Sequence, residues 1–147
     1  MPERTIRSAA QCDCLAIRQA ARQITQFYER HLSKEDLTAN QYAILRKLSG
    51  LGQLSIGDLA SSMVMDSTTV TRAVRPLLRD RLLGMTRTKD KRTRLVDVTA
   101  TGRAKLRSAD AHWKKAQDAF EHAFGAADAQ ALRQTMWRVV ESIPAAD

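Results

Sequence analysis

The chain is expected to be mostly α-helical with one small β-hairpin, and three observations lead there. Apolar residues recur at helical spacing over nearly everything before residue 83, and again from about residue 103 to the end. Between these runs, residues 84–87 and 94–99 have the look of two short strands. The loop joining those strands is crowded with charge, because Arg87, Lys89, Lys91, Arg92 and Arg94 have Asp90 as the only acidic residue among them.

Residues from about 9 to 33 place Leu15, Ile17, Ala20, Ala21, Ile24, Phe27, Tyr28 and Leu32 on an i/i+3/i+4 stripe, with no internal Gly or Pro. A second helix opens at Thr38-Ala39-Asn40-Gln41, where Thr38 and Gln41 can satisfy free N–H groups reciprocally. Its apolar positions are Tyr42, Leu45 and Leu48, and Gly50 and Gly52 are expected to stop it. A short third helix begins at Ser55 and buries Ile56, Leu59, Ala60 and Met63. After a turn at Val64-Met65, Asp66 or Ser67 caps a fourth helix that buries Val70, Ala73, Val74, Leu77, Leu78 and Leu82. Its opposite face shows Thr68, Thr71, Arg72, Arg75 and Arg79, and Pro76 should bend it. The charged hairpin follows. Thr99 or Thr101 then starts a long helix reaching about Gly125, in which Leu106, Trp113 and Phe120 repeat every seven residues. A last helix carries Leu132, Met136, Val139, Val140 and Ile143.

The 147 residues suit one domain spanning 1–147, and 44% hydrophobic residues can fill its core. No apolar run approaches the roughly 20 residues of a membrane span, and no secretory leader opens the chain. Cys12 and Cys14, spaced Cys-x-Cys, make no disulfide framework. A soluble cytoplasmic protein is therefore expected, with no membrane partner.

The placement of charge says more than its total. The formal net charge is +8, yet Arg72 to Arg107 holds twelve basic and three acidic residues, a local net of +9. The rest of the chain is close to neutral. A solvated surface spreads its lysines, whereas a polyanion site gathers them. Two helices joined by a short turn, the second rich in hydroxyls and arginine, form a helix-turn-helix candidate, and the basic hairpin after it makes the unit a winged helix. The fourth helix can offer Thr and Arg to base edges in the major groove. Arg92 or Arg94 can enter or flank the minor groove, while Arg87, Lys89 and Lys91 hold phosphates. Asp90 either holds the Arg92 guanidinium in one pose or serves as a turn residue.

The stretch Asp90-Lys91-Arg92, then Leu95 to Val98, then Thr99-Ala100-Thr101-Gly102 resembles the wing and following helix start of the MarR family of regulators, with Val98 where Leu is usual. Asp66-Ser67-Thr68-Thr69-Val70-Thr71-Arg72 is similar to the start of that family's recognition helix, which adds Ser67 and Thr69 to the candidate DNA-binding residues. The resemblance covers almost the whole chain in element order. It implies a winged helix-turn-helix over about 38–100, flanked by dimerisation helices over about 9–33 and 103–147. It further implies a homodimer on a pseudo-palindromic operator in double-stranded DNA, usually a repressor released by a small molecule, such as an aromatic ligand, or by an oxidant. Dimerisation is also expected from the residues themselves, since the first-helix stripe and the Leu106/Trp113/Phe120 repeat exceed what one thin domain covers. The competing expectation is that these stripes pair inside one subunit.

Cys14 and Tyr28 resemble the reactive Cys and Tyr of the organic-hydroperoxide-sensing branch of that family, at the same spacing. Ala39 stands where that branch has a second Tyr, and no resolving cysteine lies near the C-terminus. Two residues apart on a helix, Cys12 and Cys14 would point in roughly opposite directions, which strains an internal disulfide. The plainer expectation is two small buried hydrophobes. His31, His112 and His122 are scattered, no zinc-ligand spacing occurs, and Trp113 and Trp137 are expected in the core. No catalytic motif is present, so neither an enzyme nor a cofactor is expected. The alternative from another class is a constitutive, architectural DNA-binding protein without an effector.

Overall fold

A computed structural model describes residues 8–144; residues 1–7 and 145–147, the ends of the expected 1–147 domain, lie outside the described residues. The first helix is two pieces rather than one span from 9 to 33. A 3-10 turn, Ala9–Gln11, ends at Cys12, whose backbone is extended (φ −91°, ψ 111°), and helix α1 runs from Asp13 to Leu32. A second 3-10 turn, Ser33–Glu35, leads through left-handed Asp36 to α2, Ala39–Leu51. The expected capping box is present, with Thr38 Oγ1 accepting from the Gln41 N–H and Gln41 Oε1 from the Thr38 N–H, both at 3.1 Å. Gly50 lies inside α2 rather than ending it, and Gly52, at φ 82°, is the terminator.

Helix α3 spans Ile56–Met63 under a Ser55 cap, and α4 spans Ser67–Arg79 under an Asp66 cap. Between them Val64 takes φ 54°, a conformation costly for a β-branched residue, and Met65 N–H donates back to the Ala60 carbonyl at 3.0 Å. The turn is thus tight enough to set α4 against α3. Pro76 withholds one ladder hydrogen bond, yet α4 continues through it for another turn. Of the side chains expected to be buried here, Ile56 and Met63 on α3 and Ala73 and Leu78 on α4 are only half-buried, the last two because they sit at the edges of the Val70/Val74/Leu77 stripe.

The hairpin is β2, Leu83–Arg87, and β3, Arg94–Val98, paired antiparallel from Leu83 opposite Val98 to Arg87 opposite Arg94. A third strand was not legible in the sequence. Leu54 and Ser55 form β1, which pairs with Val96 and Leu95 on the other edge of β3. Two residues carry no periodicity to detect, so only the tertiary placement reveals them. Then α5, Ala100–Phe124, and α6, Ala126–Ser142, complete the described chain, so α6 ends just before Ile143.

One core holds the winged helix and the start of α5 together. Leu32, Ile44, Leu45, Leu48, Leu59, Val70, Val74, Leu77 and Val96 are almost fully buried in it. Each such side chain contributes roughly 1.5–3 kcal/mol. The Thr99-to-Gly102 start of α5 locks onto the hairpin by backbone contact. Thr99 N–H donates to the Leu82 carbonyl at 3.1 Å, and Thr99 Oγ1 donates to the Arg81 carbonyl at 2.6 Å while accepting from the Gly102 N–H at 3.0 Å. A Cβ at Gly102 would stand 2.0 Å from the Leu82 carbonyl oxygen, which explains the glycine.

The outer helices are different. Of the α1 stripe only Tyr28 and Leu32 are buried, and of α6 only Ala129. Leu15, Ile17, Phe124, Leu132, Val140 and Ile143 are exposed, and Trp137, expected in the core, is 57% exposed. Trp113 is half-buried and packs against the core, stacked on Tyr42 with ring centroids 4.2 Å apart. No helix among the described residues is long and apolar enough to cross a membrane.

Candidate DNA interface

The α4 face opposite Val70, Val74 and Leu77 carries Thr68, Arg72, Arg75 and Arg79 at its centre, by the roughly 100° turn per residue of a helix. Ser67, Thr68, Thr69, Arg72 and Arg75 are exposed, and Thr71 is half-buried at the flank. Arg79 is already paired, its Nε 3.0 Å from Asp80 Oδ1. The N-terminus of α4 is organised by Asp66. Its Oδ1 accepts the Thr69 N–H at 2.8 Å and its Oδ2 the Thr69 hydroxyl at 2.7 Å. These bonds hold the carboxyl below its usual range. Thr71 Oγ1 donates to the Ser67 carbonyl at 2.7 Å. The hydroxyls of Thr69 and Thr71 are therefore committed as donors, whereas those of Ser67 and Thr68 are not.

The wing presents Arg87, Lys89, Lys91, Arg92 and Arg94, all exposed. Its tip is shaped by the loop backbone, with Thr88 N–H donating to Thr93 O and Lys91 N–H to Thr88 O, both at 2.9 Å, and Lys91 left-handed at φ 60°. Asp90 Oδ1 accepts from the Arg92 backbone N–H at 3.1 Å and from the Thr88 hydroxyl. Of the two expectations for Asp90, the turn role is the one observed. It sets the Arg92 backbone, and no ion pair joins it to the Arg92 guanidinium, because the carboxylate points back into its own turn. The Thr88 bond is the first cause holding Asp90 below the ordinary carboxylate range.

The gathering of basic side chains, more than their pairing, marks this surface, since Arg18, Arg22, Lys47 and Arg138 elsewhere also have no carboxylate within 4 Å among the described residues. Arg46, Lys105, Lys114 and Arg133 each have a carboxylate within 4 Å. Among the described residues Arg72, Arg75, Arg87, Lys89, Lys91, Arg92 and Arg94 have none. Arg87 and Arg94 even stand directly opposite each other across β2 and β3, a like-charge pair that weakens an isolated hairpin. A site that needs an outside anion has this form.

Two polar clusters fasten α5, one to α2 and one to the 3-10 turn before it, and sequence reading missed both. Tyr42, on α2, donates to Asp110 Oδ1 at 2.7 Å, and Arg46 Nη1 lies 3.3 Å from the other Asp110 oxygen. Burial first, then the Asp110 bond, raises the Tyr42 hydroxyl pKa. Glu35 is buried at the end of the second 3-10 turn against one face of α5. It accepts from Ser108 Oγ at 2.5 Å, with His112 Nε2 at 3.3 Å and Lys105 Nζ at 3.5 Å. The Ser108 bond is the main cause lowering its pKa. These partners lie about seventy residues away in sequence, and no local motif announces them.

The candidate redox residues are not brought together within one chain. Tyr28 is buried against Trp113 and its hydroxyl donates to Gln117 Oε1 at 2.6 Å. Cys14 is exposed in the first turn of α1, roughly 21 Å along the helix from Tyr28. Cys12 is half-buried and precedes the helix, so the two cysteines are not two buried hydrophobes. The helical argument against a disulfide between them does not apply to the extended Cys12 backbone. No group of three or more His, Cys, Asp and Glu able to hold a metal occurs among the described residues.

Comparison with known proteins agrees with this geometry. The MarR family model matches residues 37–93, from the start of the winged unit to the wing. No curated protein sequence matches the chain. Among solved structures, the transcriptional regulator MosR of M. tuberculosis in complex with DNA is 30% identical, with 90% of this chain and 96% of that one covered at a TM-score of 0.80. PcaV from Streptomyces coelicolor, solved with its natural ligand, is 21% identical, covering 91% and 95% at 0.80. BpsR from Bordetella bronchiseptica, whose DNA binding is regulated by 6-hydroxynicotinic acid, is 20% identical, covering 95% and 98% at 0.81. The last two likenesses are of fold. From wing, recognition helix and relatives together, the chain belongs to the MarR family and is a DNA-binding transcriptional regulator.

Proposed function

We propose that the protein is a homodimeric repressor that reads a pseudo-palindromic operator and lets go of it when an effector binds. The observation that carries the DNA reading is the gathering of seven exposed basic side chains on α4 and the wing, within a stretch whose local net charge is +9. Phosphate neutralisation by such groups releases counterions and makes binding steeply salt-dependent. In this reading Ser67, Thr68, Thr69, Thr71, Arg72 and Arg75 meet the major groove, Arg92 or Arg94 the minor groove, and Arg87, Lys89 and Lys91 the phosphates, with Asp90 setting the wing turn.

Dimerisation by the outer helices is supported by what they leave uncovered. A cleft of about 670 Å³ between α1, α5 and α6 is walled by Ile17, Ile24, Phe120, Leu132 and Met136. Together with the exposed Leu15, Val140 and Ile143, it forms an apolar surface that soluble monomers rarely leave bare. A second copy would bury it. Effector control is supported by the relatives, since PcaV holds a natural ligand and BpsR answers 6-hydroxynicotinic acid. An organic hydroperoxide acting at Cys14, with Cys12 beside it, is the oxidant form of the same reading.

The test is a titration of the protein on an inverted repeat from its own promoter and on random duplex at one salt concentration, with and without a small aromatic acid or an organic hydroperoxide. A regulator favours the repeat by roughly 10³-fold or more. It should also lose that preference with one effector. Equal affinity for both duplexes would make the protein an architectural binder.

A further inference from the structure

The N-terminal cap of the recognition helix does more than end a helix. An ionised carboxylate can only accept, so the Thr69 hydroxyl must give its proton to Asp66 Oδ2 at 2.7 Å. A backbone carbonyl can only accept as well, so Thr71 must give its proton to Ser67 O at 2.7 Å. Thr69 is exposed beside Thr68 and Arg72, on the half of α4 that faces away from Val70 and Val74. What Thr69 Oγ1 can offer outward is a lone pair.

In the major groove, lone pairs and protons are not interchangeable. Adenine N6 and cytosine N4 are donors, whereas guanine O6 and N7 and thymine O4 are acceptors. We propose that Asp66 is a positioning residue for base choice: by holding the Thr69 proton it makes Thr69 select an amino base, adenine or cytosine, over a keto base, guanine or thymine, at one position of each half-site. Thr68, whose hydroxyl has no partner among the described residues, keeps both options, and Arg72 and Arg75 supply donors only, which suit guanine. The recognition helix therefore presents opposite hydrogen-bond polarities side by side. This rests on α4 entering the major groove, as proposed above. Asp66 keeps its charge at neutral pH, since its bonds to Thr69 lower its pKa.

The polarity can be reversed without losing the cap. In Asp66→Asn the side-chain carbonyl must take the Thr69 N–H, because the amide nitrogen cannot accept. Asn caps helices about as well as Asp. The amide nitrogen then faces Thr69 Oγ1 and donates to it, which frees the hydroxyl proton to point outward. Thr69→Val removes both options and leaves Asp66 bonded only to the backbone N–H at that position.

The experiment selects duplexes from a library randomised across the half-site, using wild type, Asp66→Asn, Thr69→Val and Arg72→Ala. Wild type should favour adenine or cytosine at one position by roughly two- to tenfold, the scale of one neutral hydrogen bond. Asp66→Asn should reverse that position to guanine or thymine, and Thr69→Val should flatten it, with the remaining positions unchanged. Identical base profiles for wild type and Thr69→Val, or for wild type and a folded Asp66→Asn, would overturn the proposal. Arg72→Ala separates the two levels of inference. If it alters the profile while the other variants do not, only the Asp66–Thr69 device is lost. If no variant alters any position, α4 does not read bases and the interface itself is wrong.

Discussion

Gly102→Ala tests the joint between the wing and the long helix. The new Cβ would lie 2.0 Å from the Leu82 carbonyl oxygen, 2.8 Å from Val98 Cγ1 and 2.9 Å from the Leu82 carbonyl carbon. The first contact is far inside van der Waals range, and it is with backbone, which cannot rotate away. Relief requires α5 to lift off the start of β2, which breaks the Thr99 N–H to Leu82 O bond and loosens the Thr99 hydroxyl. Overpacking of this kind costs about 1–3 kcal/mol, and the lost hydrogen bond adds about 1 kcal/mol. Against that, alanine gains about 1 kcal/mol over glycine in a helix. The net loss is about 1–3 kcal/mol, or a drop in thermal midpoint of roughly 2–4 °C per kcal/mol for a chain of this size. Gly50→Ala is the internal control, since nothing lies within 4 Å of its added Cβ. It should be neutral or stabilising in α2. Thermal denaturation followed by circular dichroism reads both. A Gly102→Ala protein as stable as Gly50→Ala would refute the steric account.

Arg92→Ala should weaken operator binding by about 1–3 kcal/mol with the thermal midpoint nearly unchanged, because the side chain is exposed and has no carboxylate partner among the described residues. Gel-shift titration at fixed salt checks it, and unaltered affinity would remove Arg92 from the interface. Sedimentation at micromolar concentration should give a dimer, and deletion of residues 126–147 should unfold the protein or leave a monomer; a stable, DNA-competent monomer would defeat dimerisation by the outer helices. Glu35 supplies a pH test. Its pKa is lowered from 4.5 by folding, so its contribution is complete above that value and fades as pH falls through the folded pKa. Glu35→Gln should therefore be less stable than wild type at pH 7 and should lose less on acidification below about pH 5. Parallel acid slopes for the two proteins would show that Glu35 titrates the same way folded and unfolded.

Local chemistry was readable from the sequence wherever the responsible residues are neighbours in the chain. The Thr38/Gln41 box, the Ser55 start of α3, the α4 and α5 starts to within two candidate caps each, the stripe of Val70, Val74 and Leu77, and the hairpin around the basic run all depend on groups within one or two turns of each other. The concentration of charge between Arg72 and Arg107 is likewise a property of order along the chain. What reading in one dimension cannot assign is how a side chain spends its hydrogen bonds and which apolar face is covered. Asp90 and Arg92 looked like an ion pair or a turn with equal reason, and only the backbone path through left-handed Lys91 decided for the turn. Trp113 and Trp137 both sit in apolar helical patterns, yet one is stacked on Tyr42 and the other is exposed, because α6 lies outside the core that α5 enters. β1 and the Glu35 cluster exist only through partners dozens of residues away. Helical and strand periods are local and survive in the sequence, whereas pairing across the fold depends on distances that only the folded chain creates.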